Sequence, residues 1–173
     1  MQFQDFFQFC PICGSVGFVE NNVKSKKCMW CGFVYYMNPS AATAAFILNS
    51  KGELLVCRRA KEPAQGTLDL PGGFIDPDET AEEGMKREIM EETGAKAIEI
   101  HYLFSLPNQY EYKGLTVPTT DLFFRVKLAD EHLIKAADDV SECFFIPKNK
   151  INPDDFGLQS VKKAIEMFLQ MEF

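Results

Sequence analysis

The sequence predicts an α/β (α+β) domain over residues 38–173, preceded by a small four-cysteine ribbon over residues 1–37, and three observations carry that prediction. Cys10-Pro11-Ile12-Cys13 and Cys28-Met29-Trp30-Cys31 form two CxxC knuckles separated by 14 residues. From Asn38-Pro39 onward, short apolar runs alternate with turn signals at strand-like lengths. Two longer segments carry helix start and stop signals instead.

The first knuckle pair reads as a tetrahedral zinc site. Thiolates at i and i+3 on a tight turn face one ion, and Gly14 and Gly32 free the backbone behind them. Disulfides or a metal-free ribbon are the alternatives. A unit of this size has too little core to hold itself together, so the metal would be structural rather than catalytic. Cys57 in Leu54-Leu55-Val56-Cys57 reads as a small buried hydrophobe, and Cys143 is read the same way.

In the larger domain, Ala41 to Leu48 and Glu53 to Arg58 flank Asn49-Ser50-Lys51-Gly52, a hairpin signal. Leu68 to Leu70 is a short strand and Pro71-Gly72-Gly73 a tight turn. Thr80 followed by Glu83 is a capping-box start for a helix to Thr93, with Gly94 placed to end it. Ile98 to Ser105, Asp121 to Leu128 and Ser141 to Pro147 read as strands. Gly157 to Met171 puts Leu158, Val161, Ile165, Phe168 and Leu169 on one face, with Asp154 and Asp155 at its head, as in an amphipathic closing helix.

Composition limits the function classes. The chain has 173 residues, 46% of them hydrophobic with 16 Phe, and a net charge of −7. Binding to nucleic acid through electrostatics alone is disfavoured by that charge, and Lys24, Lys26 and Lys27 read as solubilising rather than as an RNA contact. With no basic-then-apolar leader and no apolar run near 18 residues, no membrane association is expected and a cytoplasmic location is.

The chemistry concentrates in GGFIDPDETAEEGMKREIMEETGA, Gly72 to Ala95, with six glutamates from Glu79 to Glu92. Glu88, Glu91 and Glu92 stand at i, i+3 and i+4 and share one helical face. Like charges at this spacing repel unless a cation sits between them, and a hard divalent ion, Mg²⁺ or Mn²⁺, is the natural partner for carboxylate oxygens. A solvated acidic face is the bland alternative for any Glu-rich helix. Here Pro71-Gly72-Gly73 brings bare backbone up to the helix, and Arg87 stands beside Glu88 where it can orient a carboxylate.

Gly73, Glu79, Arg87-Glu88-Ile89 and Glu91-Glu92-Thr93-Gly94 resemble the Nudix box, Gx5Ex7REUxEExGU, where U is a bulky apolar residue. Every charged and glycine position matches; the departure is Ala95, where the final U is usually larger. The resemblance implies a mixed β-sheet between helices and hydrolysis of a diphosphate. It also implies Mg²⁺ ligands Glu88, Glu91 and Glu92, with the Gly72 carbonyl a further candidate, Glu79 at the edge, and Arg87 holding Glu88 or Glu91. Glu88 is the candidate general base, with Glu111, Asp139 and Glu142 as loop alternatives. His101 and His132 have no partner at useful spacing.

A four-cysteine ribbon ahead of such a domain resembles the NADH pyrophosphatase-related branch, whose members split NADH, ADP-ribose, FAD or similar compounds. NADH-cleaving members usually carry a SQPW-type motif after the box. Here the stretch is Ser105-Leu106-Pro107-Asn108-Gln109-Tyr110-Glu111-Tyr112, which keeps the Ser and Pro and points instead to ADP-ribose or another ADP-linked compound. Tyr110, Glu111 and Tyr112, together with Phe46, Arg58 and Arg59 from the first hairpin, are the candidate substrate contacts. Homodimers are expected from relatives. A nucleoside-triphosphate pyrophosphohydrolase and a non-catalytic ligand sensor are the competing readings.

Overall fold

The computed structural model describes Asp5 and residues 7–171. Three strands, β1 (Phe18–Asn22), β2 (Ser25–Cys28) and β3 (Val34–Tyr36), form a small antiparallel sheet around the cysteines. Its own core is Cys10, Phe18 and Cys28 with Phe33 against them.

Two further sheets follow. In one, β4 (Ser40–Ile47) runs parallel to β8 (Leu115–Leu128), which pairs antiparallel with β7 (Ala97–Tyr112). In the other, β5 (Leu54–Arg59) lies between β6 (Leu68–Asp69) and β9 (Val140–Ile146), antiparallel to both. The domain also holds helix α1 (Ala81–Thr93), helix α2 (Gln159–Gln170) and two short 3-10 turns.

Strand pleating explains the layering. Successive side chains on a strand point to opposite faces, so Ala44 and Phe46 of β4 and Leu54 and Val56 of β5 enter one core with Val161, Ala164, Ile165 and Phe168 of α2. Ala45, Ile47 and Leu55 enter the other core with Met85 and Ile89 of α1. The mixed sheets therefore lie between the two helices, as the resemblance implies. Ala44 to Ile47 and Leu54 to Cys57 are continuous apolar runs because both faces are covered there.

Local signals set α1. Thr80 caps its start with a capping box to Glu83, and Gly94 ends it in the left-handed region at φ 67°. Ala95, smaller than its counterparts, is 1% exposed and packs in the α1 core.

Four elements depart from expectation. The turn at Asn49 to Gly52 does not close a hairpin ladder: β4 and β5 belong to different sheets and meet at an isolated bridge between Leu48 and Leu54. The strand expected from Ile98 to Ser105 runs on to Tyr112, and the one expected from Asp121 begins at Leu115, so the two form one long hairpin through the SQPW-like stretch. Asp154 and Asp155 do not head α2; they lie in a separate 3-10 turn, Pro153–Asp155, capped by Asn152. Lys26 and Lys27 are in β2 rather than on a loop, and Lys26 is buried over the Phe18 ring and donates to the Phe7 carbonyl. Among the described residues no helix is long and apolar enough to cross a membrane.

Candidate active site

The turn before α1 is built by a close backbone approach. The carbonyls of Pro71 and Gly73 accept the N–H groups of Ala45 and Thr43 at 2.8 Å each, which pins the turn to β4. Between them Gly72 takes φ 150°, and its N–H donates to Glu92 Oε2 at 2.9 Å. A carboxylate at the far end of the helix is thereby tied to the glycine turn, a contact that the spacing of 20 residues does not reveal.

Arg87 organises the other acids. Its Nε and Nη2 grip Glu79 bidentately at 2.8 and 3.0 Å, its Nη1 donates to Glu88 at 2.8 Å and Glu91 at 3.0 Å, and Nη2 also donates to the Phe74 carbonyl at 2.9 Å. All five guanidinium donors are used, a fork geometry that lysine cannot reproduce. These partners push the Arg87 pKa up and, with the Asp76 N–H, hold Glu79 below the usual carboxylate range.

Glu88, Glu91 and Glu92 all face one cleft of about 250 Å³. Burial raises Glu92 well above the ordinary glutamate value, against the Gly72 N–H, with Asp69 and Glu88 adding to the rise. Glu88 is also raised, by burial, although Arg87 opposes it. Crowded, half-desolvated carboxylates of this kind hold protons or a cation. The donor set, hard oxygens converging on one cleft, fits Mg²⁺ or Mn²⁺.

The substrate-contact candidates divide. Arg59 lines the cleft, ion-paired to Asp69 at 2.5 Å and held by the Pro63 carbonyl at 2.7 Å. Tyr110 also lines it, edge-on to Phe74 with ring centroids 5.3 Å apart. Phe46 does not reach it: fully buried, it stacks on Phe168 at 5.1 Å and packs against Phe104 and Phe123, so the expectation of a substrate role is corrected to one of core packing. Arg58 turns away to Glu142 at 3.0 Å and the Gly66 carbonyl at 2.8 Å. The strand register slips between Arg58 and Arg59, which aims the two arginines differently.

Glu111 is exposed and accepts from Thr116 outside the cleft, and Tyr112 is exposed beneath Lys113. Among the alternative bases, Asp139 lines the cleft beside Asp138, whereas Glu111 and Glu142 do not. His101 and His132 are exposed and border a separate surface depression. Missed by sequence reasoning are Asp69, Asn108, Thr119 and Asp121, buried polar residues of the cleft wall. A polar residue at an inward strand position was their only signal.

In the ribbon, the Sγ atoms of Cys10, Cys13, Cys28 and Cys31 lie within 4.8 Å of one another, and the Cys10–Cys31 and Cys13–Cys28 pairs are 3.6 Å apart. Four sulfurs around a zinc with Zn–S bonds of ~2.3 Å in a tetrahedron are separated by ~3.8 Å. The cluster fits that ion. The N–H groups of Cys31 and Trp30 point at Cys28 and lower its pKa to about 6. Purified protein is expected to carry about one zinc per chain by elemental analysis; Cys28→Ser abolishes that content and melts the β1–β3 sheet, as read by amide exchange, with the catalytic cleft left intact.

Gly73 provides a separate prediction. A Cβ there would stand 2.6 Å from the Glu88 carboxyl atoms, a flexible side-chain end. Gly73→Ala is therefore expected to keep the melting temperature within a few degrees while displacing Glu88 and lowering kcat on the order of 10²-fold, checked by paired calorimetry and turnover.

An acid-lined cleft beside a glycine turn and a capped helix, under a mixed sheet, is the arrangement expected of the Nudix class. The model described as "NUDIX domain" matches residues 37–166, and the chain belongs to that family. It is 35% identical over 107 residues to an NAD-capped RNA hydrolase NudC of Chromobacterium violaceum, covering 60% of this chain and 40% of that protein. The chain spans about two fifths of the length of such relatives. It is 31% identical over 130 residues to an ADP-ribose pyrophosphatase of Methanocaldococcus jannaschii, covering 74% of this chain and 73% of that protein. A Nudix hydrolase from Nitrosomonas europaea shares the fold, with a TM-score of 0.72 at 22% identity over 94% of this chain and 90% of that one.

Proposed function

We propose that this Nudix hydrolase cleaves the pyrophosphate bond of an ADP-linked compound, ADP-ribose first, with Glu88, Glu91 and Glu92 holding Mg²⁺ or Mn²⁺. The observation that supports it best is the convergence of those three carboxylates on one cleft that also presents Arg59 and Tyr110. Similarity to the archaeal ADP-ribose pyrophosphatase over 73% of its length points to the same substrate class. A divalent ion bound there would neutralise the diphosphate and acidify an attacking water. Arg87 holds Glu88 and Glu91 in place through its fork, and the Gly72 turn holds Glu92. Glu88, at the cleft, is the group placed to take the proton from water, with Asp139 the alternative within the cleft. Arg59, still charged beside Asp69, meets the phosphate oxygens. Residues 1–37 act as a zinc-stapled unit ahead of the hydrolase domain at 38–173.

A chromatographic product assay with Mg²⁺ tests this on equal concentrations of ADP-ribose, NADH, FAD, an NAD-capped RNA oligonucleotide and a panel of dNTPs. AMP released from ADP-ribose well ahead of the rest is the expected result. Faster cleavage of NADH or the capped RNA, or pyrophosphate release from a dNTP, overturns the choice of substrate. No turnover of any compound overturns the enzyme's assignment to this substrate set.

A further inference from the structure

The cleft carries a second polar cluster that the hydrolytic carboxylates do not use. Asn108 on β7 is 8% exposed and lines the cleft, and among the described residues its buried Oδ1 has no hydrogen-bond partner. Strand register puts it directly opposite Thr119 of β8, and puts Leu106 opposite Asp121. Opposed residues share a face, so Asn108, Thr119 and Asp121 stand together on the cleft wall, backed by Ala42 of β4 opposite Asp121. Asp121, 6% exposed, accepts the hydroxyls of Thr119 on Oδ1 and of Ser160 in the first turn of α2 on Oδ2.

Packing alone does not explain this group. The cleft lining also includes the apolar Ala44, Leu158 and Val161, and an aliphatic residue at position 108 would strand no acceptor. A buried acceptor left without a donor is costly, and such exceptions in native structures call for a ligand or another function. The remaining lone pairs of the cluster, on Asn108 and on the Asp121 carboxylate, are acceptors. They attract hydrogen-bond donors, and the carboxylate repels phosphate.

We propose that Asn108, with Asp121 beside it, is a specificity subsite that reads an uncharged hydrogen-bond donor on the non-phosphate part of the substrate, a hydroxyl of the second sugar or the exocyclic amine of the base. The inference rests on the diphosphate-hydrolase reading and adds to it how the substrate lies: its diphosphate at the glutamates of α1 and a neutral donor group against β7 and β8. The edge-on pair of Tyr110 and Phe74 stands beside the subsite, where it borders the group that enters.

The test uses the full chain with Mg²⁺ and three diphosphates: ADP-ribose, its inosine analogue without the base amine, and the methyl ester of ADP without the second sugar. Asn108→Leu is expected to lower kcat/KM for ADP-ribose on the order of 10- to 10²-fold, with a melting temperature at or above that of the wild type. The loss is expected to vanish on one analogue: on the inosine compound if the donor is the amine, on the methyl ester if it is a sugar hydroxyl. Asn108→Ala repeats the comparison with a smaller side chain. Equal losses on all three compounds in both variants, or no loss on any, overturn the proposal. Wild-type cleavage of dNTPs in place of these compounds overturns the ADP-linked reading alone, and the same comparison is then made between dATP and dITP.

Discussion

Glu92→Gln is expected to remove turnover by about 10³-fold or more while making the metal-free protein more heat-stable. The two effects have one cause. Glu92 is 6% exposed, near Asp69 and Glu88, and its pKa is raised chiefly by burial. Among the described residues its carboxylate accepts a hydrogen bond from the Gly72 N–H, which a glutamine carbonyl can also accept. Glutamine therefore keeps the contact that shapes the turn and discards the buried charge. What it loses is the anionic oxygen that a divalent ion needs, a loss comparable to deleting a preorganised charge from a transition state.

The pH dependence separates this from simple damage. An acid whose folded pKa is raised contributes stability below its unfolded pKa, and that contribution is lost as pH rises through the folded value. Metal-free wild type should lose stability relative to Glu92→Gln on going from pH 5 to pH 8, and Mg²⁺ should restore it to the wild type alone. Calorimetry in chelator and in Mg²⁺, with turnover measured in parallel, checks both arms. A variant with near-normal turnover removes Glu92 from the metal site.

Gly72→Ala is expected to have the largest effect on stability. At φ 150° a Cβ would stand 2.1 Å from the Thr43 carbonyl oxygen and 2.8 Å from Ala44 Cα, and neither is the loose end of a side chain. Relief requires the turn to leave β4, which breaks the bonds from Ala45 to Pro71 and from Thr43 to Gly73, and releases Glu92. Overpacking costs about 1–3 kcal/mol, strained backbone a similar amount, and each lost hydrogen bond about 1 kcal/mol. Against a total stability of about 5–15 kcal/mol for a domain, the variant should give little soluble folded protein, and denaturant titration of what remains should show a midpoint far below that of Gly73→Ala. Adjacent glycines thus fail in different ways: one unfolds the turn, the other misplaces a carboxylate.

The helix and the turn were legible in the sequence because their signals are local. Thr80, Glu83 and Gly94 do in space what their types and spacing announce, and Glu88, Glu91 and Glu92 share a face by helical periodicity alone. The two CxxC knuckles were legible for the same reason. What escaped depends on tertiary context. Phe46 has the composition of a stacking residue, and only the β4 pleat, with Phe168 arriving from α2, makes it core. Arg58 and Arg59 look equivalent as a dipeptide; a slipped register sends one to Glu142 and the other into the cleft. Asn108 and Asp121 meet only because a hairpin runs further than its propensities suggest.

The shared pleat of β4 and β5 has a consequence for how the molecule comes apart. Each strand contributes alternate residues to the core under α1 and to the core under α2, so neither core can melt while the other stays intact. The cleft between them therefore inherits a single cooperative unit. The cysteine-bound sheet has a separate small core of its own and no strand in common with the other two. Loss of a metal bound there would in that sense be a private event, one the larger half can outlast.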